Sequence, residues 1–204
     1  MAKLEIREPR QKRSIEKKQR IIRTSYKLFC DKGYYKTNTA EIAKEAGIST
    51  GIVYSYFQDK KDILLEVVKS YLASLSEQFL PLFDNPISQD NLSDMIKNLI
   101  DIVISSHVMN VEAHNEFMAL SLLEKDIYIL FHDFEDSILT KLYELLTAGG
   151  FSKTNLLEKI RISYGIVEQV SHDSIHNARP QEELDSAKTL AIRIIVMLFH
   201  DINE

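Results

Sequence analysis

Apolar side chains recur every three or four residues along almost the whole chain, which is the spacing of one buried face of an amphipathic α-helix. The sequence has only six glycines and four prolines, and their positions indicate breaks between long helices rather than many short strands. We therefore predict an all-α fold with about nine helices. The predicted helices cover residues 14–32, 39–46, 50–56, 60–79, 89–108, 111–123, 126–148, 154–177 and 182–202.

Two short predicted helices near the start of the chain adjoin a glycine-containing turn. Asn38 and Glu41 form a capping box, in which Asn38 caps the first short helix and Glu41 reaches back to it. Gly47 ends that helix, and Ser49 is placed to cap the next one. A helix, a short turn with glycine and a second helix are the parts of a helix-turn-helix motif.

This part of the chain resembles the DNA-binding domain of the TetR family of bacterial transcriptional regulators. The resemblance extends without a gap over about residues 14–65 and rests on three segments with distinctive residues. These are Gly33–Ala43 (GYYKTNTAEIA), Ala46–Phe57 (AGISTGIVYSYF) and Asp59–Leu64 (DKKDIL). The later helices match the family only in their number, length and helical character.

The resemblance implies a domain organisation and a function. It implies a three-helix helix-turn-helix domain over residues 14–61 and a larger helical ligand-binding and dimerisation domain over residues 62–204. The basic residues before them predict an N-terminal arm over residues 1–13. The implied function is that of a homodimeric repressor, released from a double-stranded DNA operator by a small-molecule effector. A transcriptional activator of the same family is an alternative, as is a helical enzyme or an adaptor with an incidental basic segment.

Enzymatic activity finds little support in the sequence motifs. The chain has no Walker A loop, no G-x-S-x-G elbow, no H-E-x-x-H motif and no dinucleotide-binding glycine pattern. We therefore predict a protein that is not an enzyme and has no cofactor. His172 and His176 are four residues apart and could supply two metal ligands, but a solvated stretch explains them better, and we predict no metal site.

The resemblance assigns candidate DNA contacts to the two short helices and the start of the next. These residues are Asn38, Thr39, Ser49, Thr50, Gly51, Tyr54, Tyr56 and Lys60. The two tyrosines could give a hydroxyl to a phosphate and a ring face to a thymine methyl, although tyrosines at this spacing could also be core residues. Lys60 matches the phosphate-binding lysine of the family, and the alternative is an ordinary solvated lysine. Ala40 stands where many members have arginine, so we expect specificity to depend on methyl contacts and DNA shape.

The charge distribution agrees with a polyanion partner for the first third of the chain. The net charge is −5, but residues 1–61 hold 15 Lys and Arg against 7 Asp and Glu, whereas residues 62–204 hold 10 against 23. A basic segment favours nucleic acid, although on charge alone a solvated basic face is an equal explanation. The basic arm could add nonspecific DNA affinity or could only aid solubility.

Compartment and membrane association follow from a few residues. Cys30 is the only cysteine, so the chain has no internal disulfide, which is typical of a reducing compartment. The first residues lack the apolar stretch of a signal peptide, and no apolar run is long enough to span a bilayer. We expect a cytoplasmic protein with no membrane partner.

The last two predicted helices are candidates for a dimer interface. Apolar residues at near-heptad spacing line both the helix near 154–177 and the helix near 182–202. Two such helices from each subunit could form a four-helix interface, although the same stripes could belong to an intrachain core.

The candidate ligand-binding residues are mostly apolar side chains of the larger domain. They are Leu99, Val103, Phe117, Met118, Phe134, Tyr164 and Glu168. Methionine and aromatic side chains suit an adaptable apolar cavity, but each could also be ordinary core. Glu168 follows Tyr164 by four residues on the same helix face and could anchor a cationic or hydroxylated ligand.

Overall fold

The computed structural model describes residues 12–84, 86–176 and 180–200. Within those residues the chain forms nine α-helices and no strand, which confirms the predicted all-α fold class. The helices are α1 (Lys12–Lys32), α2 (Thr39–Glu45), α3 (Thr50–Tyr54), α4 (Lys60–Phe83), α5 (Leu92–Met109), α6 (Val111–Leu123), α7 (Lys125–Ala148), α8 (Leu156–His176) and α9 (Gln181–Phe199). The predicted basic arm, apart from its last two residues, lies outside the described part of the chain.

The described helices divide into two compact units. The first unit contains residues 12–73 and 112–131, and the second contains the other described residues from 74 onward. Helices α4 and α7 contribute residues to both units. None of the described helices is long and apolar enough to cross a membrane. The domain limits predicted at residues 13 and 61 stay a prediction.

The first unit is held together by aliphatic and aromatic side chains from α1, α2, α3, α4 and α6. Phe29, Phe57 and Phe117 are among its largest fully buried side chains. Phe117 on α6 packs against Tyr26 and Tyr71, with ring centroids 6.0 and 5.3 Å apart, respectively. Burial of such side chains is the main source of stability in a small helical domain.

The second unit has its own apolar core. Helices α5, α8 and α9 pack against one another in pairs, and the end of α4 and most of α7 add further side chains. The buried members include Ile96, Ile100, Leu142, Ile160 and Ile195. Each unit thus has a hydrophobic core of its own.

The bounds of several helices differ from the sequence expectations, among them those of α4 and α1. Helix α4 does not end near Phe79 but continues through Pro81 to Phe83. Proline removes one backbone N–H and its ring crowds the preceding turn, but Pro81 lies exposed only two residues before the helix ends, so the disruption stays local. Helix α1 already includes Lys12 and Arg13, so it extends beyond its predicted start at residue 14.

Candidate functional site

The first short helix and the turn after it follow the predicted pattern. Asn38 has an extended backbone, and its Oδ1 accepts the N–H of Glu41 at 2.9 Å. The Glu41 carboxylate pairs with Lys32 and also accepts the Asn38 backbone N–H, and these contacts hold the pKa of Glu41 below its usual value. Gly47 has a φ of +64°, which few other residues adopt. The capping box and the glycine turn are thus confirmed.

Helix α3 has a buried side and an outward side. Val53 within the helix is 0% exposed, and Phe57 just after it is 2% exposed. Both pack into the core of the first unit. Four residues lie on the outward side, and we call them the reading face: Ser49, Thr50, Gly51 and Tyr54. Ser49 occupies the N-cap position, but its side chain makes no capping hydrogen bond. Its hydroxyl is therefore not needed to hold the helix.

The two candidate tyrosines have different surroundings. Tyr54 is 40% exposed, so its ring and hydroxyl reach the surface. Tyr56 is only 8% exposed, and its hydroxyl is hydrogen-bonded to Ser14 Oγ at 2.8 Å, which ties the segment after α3 to α1. A phosphate contact from Tyr56 would have to come from a hydroxyl already engaged with Ser14, whereas Tyr54 has no such tie to α1.

Lys60 braces the loop between α1 and α2. Its Nζ donates to the backbone carbonyls of Tyr34 and Thr37, each at 2.8 Å, and lies 4.1 Å from the centre of the Tyr34 ring. Partial burial lowers the pKa of Lys60. An ammonium has three donors, so one N–H is left beyond these two bonds. Lys60 therefore holds the loop that leads into Asn38 and Thr39, and a phosphate contact from its ammonium stays a prediction.

A second group of contacts in the first unit was not predicted. Acidic side chains on and after α6 hold the turn that follows α1. Glu116 Oε1 accepts the Tyr34 N–H at 2.6 Å, and Glu124 Oε1 accepts the Tyr35 hydroxyl at 3.0 Å. Lys61 pairs with Asp126 at 2.6 Å. The only sequence signal for these contacts is the excess of acid after residue 61, which gives no partner for any one residue.

The predicted ligand-binding residues fall into both units. Four of them lie in or against the core of the second unit: Leu99, Val103, Phe134 and Tyr164. Glu168 belongs to the same unit. Phe117 and Met118 belong to the first unit. Phe117 is fully buried between aromatic rings, and Met118 is 36% exposed. The structure thus places five of the seven residues in one unit, and their role as a ligand pocket stays a prediction.

Glu168 is the centre of a polar group within the second unit. Its Oε2 lies 3.6 Å from Nε2 of both His107 and His172, and the Tyr164 hydroxyl hydrogen-bonds to it. Burial and then the nearby Glu168 charge raise the pKa of Tyr164. The i,i+4 spacing predicted that Tyr164 and Glu168 share a helix face. No sequence signal pairs His107 with them, because it lies on α5, far away along the chain.

The helices predicted to form a dimer interface carry apolar residues on two sides. Helix α9 buries Ala191 and Ile195 against the second unit. On its opposite side are Leu190, Ile194 and Met197, which are 58%, 40% and 64% exposed, and we call these three residues the outer stripe. Their spacing of four and three residues gives one continuous helix face. On the neighbouring α8, Ile162 is 56% exposed.

Residues 21–67 match the family model described as "Bacterial regulatory proteins, tetR family". Among curated proteins, the chain is similar to the HTH-type transcriptional regulator HbdR of Aromatoleum sp., with 31% identity over 68% of this chain and 61% of HbdR. It is also similar to the uncharacterized HTH-type transcriptional regulator YerO of Bacillus subtilis, with 33% identity over 55% of this chain and 37% of YerO. The matched part therefore spans less than two thirds of these relatives.

Similarity to solved structures extends over nearly the whole chain. A transcriptional regulator of the TetR/AcrR family from Thermobifida fusca superimposes with a TM-score of 0.62 and 21% identity, covering 93% of this chain and 100% of that one. At this identity the likeness establishes the fold. The arrangement of nine described helices with an N-terminal helix-turn-helix is thus a known architecture.

Proposed function

Because the chain belongs to the TetR family of bacterial regulatory proteins, we propose that it is a homodimeric DNA-binding repressor that a small-molecule effector releases from its operator. The reading face is the observation that supports the proposal of DNA binding. Its polar groups point outward from a short helix whose other side is fixed in a hydrophobic core. The protein acts by binding rather than by catalysis, and we expect it to do so in the cytoplasm.

The reading face supports entry of α3 into a major groove. Thr50 and Tyr54 offer hydroxyl and methyl or ring contacts to base edges, and Gly51 allows the helix backbone a close approach. Asn38, Thr39 and Lys60 lie at the starts of α2 and α4, where phosphate contacts would fix the orientation of the helix. The reading face has no arginine, asparagine or glutamine for a bidentate base contact, so DNA shape contributes a large part of the specificity.

The outer stripe supports a homodimer. Three large apolar side chains in one row are costly to leave in water, and an identical row on a second chain would cover them. A two-fold dimer through α8 and α9 carries two copies of α3, which we call the reading helices. Such a dimer binds two half-sites about 34–36 Å apart, which is one turn of DNA.

The proposed response to an effector is a shift between two populations of the dimer. The effector binds near the candidate residues of the second unit and favours a spacing of the reading helices that no longer matches two half-sites. It must bind the two states with unequal affinity, since equal affinity would shift nothing. A thermal-shift screen of metabolites and drugs against the purified chain identifies the effector class, because a ligand that binds only the folded state raises Tm.

Operator binding is tested by a salt titration on DNA from upstream of the chain's own gene. A labelled fragment and a shuffled fragment of equal length and composition are compared by fluorescence anisotropy. We expect preference for the native fragment and a log–log salt slope steeper than about −5, for six or more phosphate contacts by two reading helices. Equal binding of both fragments at low salt would contradict DNA recognition.

The dimer is tested with a matched pair of isoleucines. Ile194 in the outer stripe and Ile129 at the start of α7 are 40% and 41% exposed, respectively. Sedimentation of Ile194→Glu is expected to give a monomer, whereas Ile129→Glu remains a dimer. A dimer in both variants would place the interface elsewhere.

A further inference from the structure

The second unit contains a group of polar side chains that belongs neither to the reading face nor to the outer stripe. We call His107 on α5 and Glu168 and His172 on α8 the histidine–carboxylate cluster. Packing of α5 against α8 brings these residues together. The His107 side chain is 8% exposed, that of Glu168 27% and that of His172 37%, so the cluster is buried at one end and open at the other.

The distances within the cluster are those of a metal site. Glu168 Oε2 lies 3.6 Å from each imidazole Nε2, and the ring nitrogens of His107 and His172 lie within 4.8 Å of each other. In a tetrahedral zinc site, bonds of roughly 2.0–2.2 Å place neighbouring donor atoms about 3.4 Å apart. A cation equidistant from the three donor atoms therefore needs only small side-chain adjustments.

The surroundings fix the ligands in the orientation that a metal needs. The Nδ1 atom of His107 lies 2.8 Å from the Val103 carbonyl, an acceptor, so Nδ1 carries a proton and Nε2 is the ring nitrogen that faces Glu168. The Tyr164 hydroxyl holds the carboxylate from another side. A carbonyl behind the histidine and a hydroxyl on the carboxylate are the usual outer partners of metal ligands.

The charge of the site also favours a cation. The Glu168 carboxylate lies in a partly buried position beside the two imidazoles. Glu135 on α7 adds a second carboxyl nearby. Burial, and then repulsion from Asp136 and Glu168, raise the pKa of Glu135. A divalent cation would neutralise this charge directly.

We propose that the histidine–carboxylate cluster binds one divalent transition-metal ion, of which Zn²⁺ is the reference case, through His107 Nε2, His172 Nε2 and a Glu168 oxygen. The sequence alone predicted no metal. Imidazole and carboxylate ligands suit Zn²⁺, and three protein ligands leave a fourth position for water. The ion would link α5 to α8. This proposal does not depend on DNA binding.

The test uses the untagged full chain, because the histidines of an affinity tag would bind metal themselves. The chain is stripped with a chelator and titrated with Zn²⁺ by calorimetry, and thermal unfolding is measured with and without the ion. We expect one equivalent per chain and a higher Tm with Zn²⁺. Co²⁺ in place of Zn²⁺ is expected to give the visible absorption of a tetrahedral site.

Two variants and a control locate the ion. Glu168→Gln and His172→Gln alter the more exposed ligands and are each expected to weaken Zn²⁺ binding at least about 100-fold. His132→Gln is the matched control, because His132 Nε2 also lies 3.5 Å from a carboxylate, that of Asp136, but on the surface of α7. It should leave the affinity within about twofold. Absence of Zn²⁺ binding to the wild-type chain, or equal binding by the wild-type chain and both cluster variants, would overturn the proposal.

Discussion

The reading face and the histidine–carboxylate cluster are assembled in different ways. The reading face lies within one short helix and its N-cap position. The Asn38 cap of α2, the Gly47 turn and two buried residues, Val53 and Phe57, position it, and all are close by in sequence. The cluster joins residues of α5 and α8 that are far apart in sequence and meet only because the two helices pack. The comparison shows that local signals can predict the first kind of site, whereas the second depends on tertiary packing.

The largest expected loss of stability comes from the buried side of the α3 segment, opposite the reading face. Phe57 is 2% exposed, and Phe57→Ala should destabilise the first unit by about 3–5 kcal/mol through lost burial and a cavity. Tyr54→Ala should cost less than about 1 kcal/mol, because Tyr54 is partly exposed. Chemical unfolding followed by circular dichroism measures both. Similar losses in the two variants would mean that Tyr54 is also a core residue.

Much of the first unit was predictable from the sequence for reasons that particular residues illustrate. Asn38 and Gly47 act on the backbone within a few residues of themselves, so their roles can be read from spacing. The tie between Glu116 and the Tyr34 N–H could not, because it joins α6 to the turn after α1, far away along the chain. Phe117 was a candidate ligand contact, yet the structure encloses it among the aromatic rings of the first unit. A periodic apolar pattern does not reveal which neighbours a buried ring will have.

A substitution of Lys60 tests whether this side chain stabilises the fold of the first unit in addition to any contact with DNA. Lys60→Met removes two charge-assisted hydrogen bonds to the carbonyls of Tyr34 and Thr37, so the unfolding free energy should fall by about 1.5–3 kcal/mol. Lys36→Met is the control, since Lys36 is exposed in the same loop. Thermal and chemical unfolding of the two variants measure the difference. Equal stability of both variants would contradict a bracing role for Lys60.

Smaller losses of stability are expected at the two N-cap positions, Asn38 of α2 and Ser49 of α3. Asn38→Ala removes an observed cap and should cost about 1 kcal/mol of unfolding free energy. Ser49→Ala removes no capping bond and should cost less than about 0.5 kcal/mol, although it removes a group of the reading face. Urea unfolding distinguishes the two. A loss of about 1 kcal/mol for Ser49→Ala would assign that hydroxyl to the fold instead of to DNA.

The smallest expected effect is a dependence of the stability of the first unit on pH. Burial alone would raise the pKa of Glu66, but the ion pairs with Lys18 and Lys69 outweigh it and lower the pKa. This pairing therefore stabilises the fold above the unfolded pKa of about 4.5 and is lost as the pH falls through the lower folded value. Lys18→Met should cost under about 1 kcal/mol at pH 7, and less in acid. A difference that does not change with pH would mean that Lys18 contributes only through packing.

The most direct test of the central claim measures the reading face itself. The triple variant Ser49→Ala, Thr50→Ala, Tyr54→Ala changes the outward groups and leaves Val53 and Phe57 in the core. At fixed salt we expect its affinity for the native operator fragment to fall at least about 30-fold, which is about 2 kcal/mol. Its unfolding free energy should change by less than about 1.5 kcal/mol, as for exposed positions. A folded variant that binds the operator as tightly as the wild-type chain would contradict the account.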